Sequence, residues 1–282
     1  MSVYSNRTAM ALLNMTREMY RKNIEIGRIV KTSALLMMSG ISSYDIDVRI
    51  VNACLASQRP DGGFIGNSDT IWAIKFLSFF PEHKGKMQDA VQWLIQNNGE
   101  EPGFGRSKRD MHRIPVTGLA LYLLPVIANQ RHLLWLENAW ISEANSLTYK
   151  AAYTLLAFHV NGYSPTTRET LLVDTLNWLV SQQQASGGFA PWLDHPAGEN
   201  VYCTAVALLA LVNLSGKFHQ SQIEKAYHYL CSSQLKSGIW RYHEIEDGAS
   251  WGLFALTQAE EYFYHFGRVP FSPNNSEDFL RL

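Results

Sequence analysis

Apolar positions recur at three- and four-residue spacing along most of the chain, in two alternating kinds of segment. One kind carries charge along a side, as around Glu169 and Asp174 or Glu224 and Lys225. The other is apolar on nearly every face, as in residues 114–127 and 201–214. A helix with one charged side lies at a surface, and one that is apolar all round is buried. The pattern therefore predicts an all-α protein in which exposed helices surround an inner set. The N-terminal segment, 1–40, reads as helical from about residue 7 to 38.

The exposed helices end in a shared twelve-residue formula. It runs from an aromatic or small residue to Gln or Asn five positions on, then Gly or Pro, then an aromatic. Copies are Ala53…Gln58…Gly62-Gly63-Phe64, Trp93…Asn98…Pro102-Gly103-Phe104, Trp178…Gln183…Gly187-Gly188-Phe189 and Tyr229…Gln234…Gly238-Ile239-Trp240. The first interval between starts is 40 residues and the second 85, which places a degenerate copy at Trp135-Leu136 with Trp140. Regular repeats of this length mark stacked helix pairs. Each formula closes one helix: the Gln is expected to donate to last-turn carbonyls and to reach the next repeat, and the Gly to supply the positive φ of a helix stop.

The buried helices open with a small-residue pattern: Thr70-x2-Ala73-x3-Leu77, Thr117-x2-Ala120-x3-Leu124 and Thr204-x2-Ala207-x3-Leu211. Ala249-x2-Gly252-x3-Leu256 is a weaker copy, and Ala152-x3-Leu156 keeps only the second half. Small residues at this spacing let helices pack closely. An inner ring of apolar helices within an outer amphipathic ring is an (α/α) barrel of about five to six helix pairs. It reads as one domain over 1–282, with repeats at about 45–265 and a loose tail at 269–282.

Bulk composition narrows the function. Charged residues are 17% and net charge is −1, so nothing suggests a nucleic-acid surface. Three cysteines, Cys54, Cys203 and Cys231, form neither a CxxC pair nor a disulfide framework. The N-terminus lacks the apolar run of a signal peptide, and the longest apolar runs are too short to span a bilayer. A cytoplasmic location is expected, with peripheral membrane contact through an exposed apolar patch left open. No phosphate-binding, dinucleotide, Gly-x-Ser-x-Gly or HExxH motif occurs.

With these residues in view, the chain resembles the terpenoid cyclase and protein prenyltransferase superfamily over about residues 45–265, through repeats of the QW type. It looks closest to the β-domain of class II terpene cyclases of the squalene–hopene kind. There, a Gly-Gly-Phe segment leads into Asp-x-Asp-Asp-Thr-Ala, whose middle aspartic acid starts cyclisation by protonation. Here Gly187-Gly188-Phe189 leads to Asn200-Val201-Tyr202-Cys203-Thr204-Ala205. The Thr-Ala is kept and all three carboxyls are gone. A second stretch is similar to prenyltransferase β-subunits, whose zinc is held by Asp, Cys and His. Asp69 and His112 could match, but the Cys position is Ile71. Losing the thiolate removes the zinc expectation, and no cofactor is implied.

The resemblance implies an unconventional single-domain cyclase that folds a long apolar isoprenoid or polyene inside the barrel. Such chemistry needs a carboxyl kept protonated, a shaped cavity and aromatic faces for the migrating cation. Asp194, Glu199 and Asp247 are the candidate acids, and Tyr202 a hydrogen-bond donor. Asp194 could bond His195 or His243, and Asp247 could cap its helix. Asp69 is weighed too, with an N-cap as its plainer role. Trp72, Phe76, Tyr122, Tyr153, Cys203, Trp251 and Phe254 are expected to line the cavity, with core packing the plainer reading for each. The basic run 106–113 surrounds Asp110, and its His112 and Arg113 are candidates to hold a diphosphate or carboxylate, or to be solvated. Alternatives are an acid-independent pericyclic cyclase, a non-catalytic barrel for a prenyl ligand or protein partner, and a prenyltransferase-like protein without zinc.

Overall fold

In the computed structural model, which describes residues 1–97, 102–143 and 145–266, helices form everywhere the 3.6-residue pattern runs, and the described residues contain no strand. The outer helices are α1 (Val3–Arg21), α3 (Val48–Ser57), α5 (Lys84–Asn97), α7 (Gln130–Ser142), α9 (Leu171–Ser181) and α11 (Gln220–Ser233). The inner ones are α2 (Ile26–Met38), α4 (Asn67–Leu77), α6 (Ile114–Leu123), α8 (Thr148–Val160), α10 (Val201–Leu214) and α12 (Ile245–His265). Each inner helix packs on the next, and α12 returns to α2, so the ring closes.

The segment expected to be one helix over 7–38 is two. Asn23 adopts φ 52 and breaks it between α1 and α2. Asn tolerates this left-handed geometry better than most residues. The two halves become the outer and inner members of a first pair, which brings the barrel to six.

The formula loops bind neighbouring pairs together. Gln58 Nε2 donates to Gly62 O and Lys86 O, both at 2.8 Å. Gln183 repeats this with Gly187 O at 2.9 Å and Gln222 O at 2.8 Å. The amide thus serves its own loop and the first turn of the next outer helix, not the last-turn carbonyls of its own. Gly62, Gly187 and Gly238 have φ of 91, 90 and 87. They sit four residues beyond each Gln, inside the turn, where a Cβ would lie 2.7, 2.3 and 2.7 Å from a backbone oxygen of the next outer helix. Both the φ and the close approach require glycine. Asn98, the second copy's amide, lies outside the described residues, as does the tail at 269–282.

The last copy closes the ring. Gln234 Nε2 donates to Tyr4 O at 3.1 Å and Thr8 Oγ1 at 2.7 Å on α1. Glu260 on α12 accepts from Ser2 N at 2.8 Å and also from the Ser5 hydroxyl. The degenerate third copy uses another clasp: the buried Glu137 on α7 accepts from Tyr163 Oη at 2.5 Å, Thr166 N at 3.0 Å and Thr167 N at 2.6 Å.

The opening threonines fix each loop to its inner helix. Phe64 N, Phe104 N and Phe189 N donate to Thr70, Thr117 and Thr204 Oγ1 at 3.1, 2.7 and 2.9 Å. The formula phenylalanines are consequently buried between the rings. No helix among the described residues is long and apolar enough to cross a membrane.

Candidate active site

The inner helices start at one rim of the barrel. Glu246 at the start of α12 binds Arg28 Nε of α2 at 2.7 Å, and a Cβ on Gly27 of α2 would lie 2.3 Å from Asp69 Oδ1 on α4. Side chains one or two turns into each helix therefore converge on the axis from the same end.

Aromatic rings meet there. Trp251 of α12 lies edge-on to Trp72 of α4 at 5.9 Å and to Tyr153 of α8 at 5.8 Å. These three helices alternate around the ring, so contact among them places their rings on the axis. Tyr202 of α10 adds to the layer, 6.2 Å from Trp251 and stacked at 5.9 Å on Tyr242. Its other neighbour is Tyr149, at 6.1 Å. Trp251, Trp72 and Tyr153 are buried, whereas Tyr149, Tyr202 and Tyr242 keep part of their surface open. The layer thus crosses the axis about 8 Å, or five residues, below the rim, and the partly open surfaces of Tyr149, Tyr202 and Tyr242 outline a recess above it.

The hydroxyls of Tyr153 and Tyr202 are 2.8 Å apart, and either can donate. Burial raises both phenols well above the ordinary range, with Asp247 adding to the effect. Burial also pushes Tyr149 and Tyr242 up. Desolvated phenols with open surface are what a recess lined by rings produces. A phenol in this condition holds its proton too firmly to protonate an alkene.

The carboxyls divide by environment. Asp247 lies beside the rings, but Lys31 Nζ of α2 is 2.6 Å from its Oδ1 and also 5.6 Å from the centre of the Trp72 ring. Asp247 is therefore an ion-pair partner, neither a cap nor a free acid; α12 begins after Glu244, which makes no side-chain cap bond. Asp69 stands one turn above Trp72 on α4, whose N-cap is Gly66, so the expected N-cap role falls to another residue. Burial first and the neighbouring Glu25 second raise the Asp69 carboxyl, against bonds to backbone amides that lower it. These surroundings shift the group toward its neutral form.

The other candidates lie elsewhere. Asp194 is exposed at φ 62, and among the described residues no hydrogen bond joins it to His195 or His243. His195 Nδ1 instead accepts from Ala197 N at 3.1 Å. Glu199 packs over Gly188, near Tyr229 of the outer ring. Cys203 is buried under its helix cap, where its amide donates to Asn200 Oδ1 at 2.9 Å and burial lifts the thiol to about 11. Phe76 is fully buried against Phe80 at 5.1 Å, beyond the recess. Tyr122 lies near the far end of α6, and Phe254 is buried one turn below Trp251.

The basic run forms a rim loop. Asp110 accepts from Arg106 N at 3.1 Å and Arg113 Nη2 at 2.8 Å, and both bonds lower its carboxyl. Arg113 is exposed, while His112 sits edge-on to Trp135 of the outer ring at 6.0 Å. Among the described residues no cluster of His, Cys, Asp and Glu could hold a metal ion.

Two participants escape sequence reasoning. Lys31 lies in the segment read as a single helix, and the uncharged run from Thr32 to Met38, apolar from Ala34 on, is the signal that it belongs to the inner ring. Tyr242 follows the last formula copy and carries no motif of its own.

Residues 70–134 and 128–252 match the family model of the prenyltransferase alpha-alpha toroid domain. No curated protein matches the sequence. Among solved structures, the chain is similar to the type II terpene cyclase MstE from Scytonema in complex with its substrate, geranylgeranyl dihydroxybenzoate. That likeness has a TM-score of 0.66 at 12% identity and covers 92% of this chain and 99% of that one. A protein from Actinoplanes gives 0.63 at 13% identity, over 83% of this chain and 90% of its own. A family 105 glycoside hydrolase from C. acetobutylicum gives 0.57 at 13% identity, over 94% and 100%. At these identities the likeness is one of fold, and that fold is shared by enzymes of different chemistry.

Proposed function

The chain belongs to the prenyltransferase alpha-alpha toroid domain family, and from that premise we propose that it is a terpene cyclase-like enzyme that folds and cyclises a linear isoprenoid or polyene in the rim recess. The observation that carries this reading is the wall of Trp72, Tyr149, Tyr202, Tyr242 and Trp251. An apolar chain laid against it is held in a bent conformer, which removes entropic cost from ring closure. Each ring face adds about 0.5–2 kcal/mol of attraction for a carbocation.

Tyr202 takes the place of the middle aspartate in the cyclase pattern, and its phenol cannot do that aspartate's work. We assign the proton donor instead to Asp69, whose surroundings favour the neutral carboxylic acid. Its proton would pass to a terminal alkene carbon, leaving a carboxylate and a tertiary cation facing Trp72. Pairing with Asp247 keeps the Lys31 ammonium from opposing that charge.

A second reading is a non-catalytic barrel for a prenyl group. It is favoured by Trp251 reaching both Trp72 and Tyr153, because a closed axis leaves a shallow recess. One experiment separates the readings. The protein is incubated with linear C15–C30 isoprenoids, with and without diphosphate, and with oligosaccharides, and products are read by mass spectrometry and NMR. Cyclic isomers are expected. Saturable binding without conversion selects the second reading, and cleavage of an oligosaccharide overturns both.

A further inference from the structure

Below the aromatic layer, helix register brings a second set of side chains to one height. Lys75 and Tyr122 occupy the same place, five residues after the opening Thr, in the copies starting at Thr70 and Thr117. Each is the ninth residue of its helix, α4 or α6, so they stand at equal height on neighbouring inner helices. Trp72 faces the axis, and Lys75 follows it by three residues, which keeps it near the same face about 4.5 Å further down. Phe79 continues the stripe, and Leu119 lies above Tyr122 in the same way.

The partial exposure of these side chains outlines a lower recess. Lys75, Phe79, Leu119 and Tyr122 all keep part of their surface open, unlike the packed face of α4 made by Thr70, Ala73, Ile74 and Leu77. Even so, burial lowers the Lys75 ammonium and raises the Tyr122 phenol. Among the described residues the Lys75 ammonium makes no hydrogen bond and no ion pair with a carboxylate; it rests over the Phe79 ring at 5.6 Å. A cation drawn into an apolar recess without a counter-charge is costly unless an anion joins it.

We propose that this lower recess is a second ligand site, entered from the end of the barrel opposite the rim, and that it takes the carboxylate of an apolar monocarboxylic acid. Lys75 supplies the charge, Tyr122 a hydroxyl donor, and Phe79 and Leu119 the apolar wall. The carboxylate replaces the missing counter-ion, and the acid's hydrocarbon covers surface now left open.

The test uses the full chain with dodecanoate, and with dodecanol as the uncharged control, by isothermal titration calorimetry. Dodecanoate should bind at least about ten-fold more tightly than dodecanol, as a charge-assisted hydrogen bond requires. Binding should raise the midpoint of the lysine, since pairing favours its charged form. Lys75→Met should remove the preference for the acid while keeping the native melting curve, and Tyr122→Phe should weaken the acid several-fold. Should Lys75→Met fail to fold, NMR of the native protein decides, because dodecanoate must shift the Lys75 side-chain resonance and raise its midpoint. Equal affinity for acid and alcohol, or an unshifted Lys75 resonance, overturns the proposal. Neither result bears on the rim recess, which Lys75 does not line.

Discussion

The hydroxyls of Tyr153 and Tyr202 lie 2.8 Å apart, on neighbouring inner helices and beside the indole of Trp251. Removing either leaves the other's polar atom without that partner in a desolvated site. Each of Tyr153→Phe and Tyr202→Phe should therefore cost about 1–2 kcal/mol, and the double variant less than the sum. Denaturant titration of the four proteins checks the cycle, and strict additivity would show that the bond contributes nothing. Because phenylalanine keeps the ring face, Tyr202→Phe should retain most turnover while Tyr202→Leu loses far more.

Asp69 should control turnover. The reaction requires the neutral acid, so the rate is highest at low pH and falls as pH rises through a midpoint above the ordinary value for an aspartic acid. Asp69→Asn should lower the rate by about 10²-fold or more, as expected for losing a general acid. Asp194→Asn, at an exposed site, should leave it within a factor of two or so, while Asp247→Asn frees the Lys31 ammonium and should slow the reaction by disturbing the wall. A pH–rate profile on the native protein and these variants is the measurement. Full activity in Asp69→Asn would remove the acid assignment.

Much of this architecture is legible in the chain because its determinants are local and repeated. Gln183, Gly187, Phe189 and Thr204 sit within one helix–loop–helix unit, and their spacing recurs. The break between α1 and α2 is less visible, since Asn23 does there what a glycine would announce. The site resists sequence reading for another reason. Lys31 meets Asp247 because the ring brings its first and last inner helices together, and Trp72 meets Trp251 because both reach toward the axis from separate helices. An apolar helix does not announce which aromatic reaches the axis: Trp72 and Phe76 share a face one turn apart, yet the first meets Trp251 across the ring and the second packs on Phe80.

Glycine should be required at 187 for two separable reasons. Its φ of 90 is unfavourable for other residues, and a Cβ would stand 2.3 Å from Lys225 O. Gly198 shares a positive φ, 67, but has open space around it. Gly198→Ala should then cost only about 1–2 kcal/mol for the backbone. Gly187→Ala should cost more, by the loss of contact between its loop and α11. Thermal melts of the two variants check the difference, and equal losses would mean that the loop moves freely away from α11.

Glu137 makes acid the condition under which the fourth pair loosens. Burial by itself raises this carboxyl, but bonds from Tyr163, Thr166 and Thr167 outweigh it and leave the group lowered overall. A lowered carboxyl binds protons more weakly in the folded state than in the unfolded chain, where the ordinary value is about 4.3. Its stabilisation is therefore complete above that value and is lost as pH falls through the folded one. Glu137→Gln keeps the shape but loses the charge that strengthens three bonds, and should destabilise the protein at pH 7 by about 1–3 kcal/mol. The difference between native and variant should shrink as pH falls, because protonation brings the native side chain to the same uncharged state. Urea titrations from pH 7 to pH 3 measure it. A gap that stays constant would place the cost in shape rather than charge, and the clasp would then be no substitute for the glutamine and glycine that this repeat lacks.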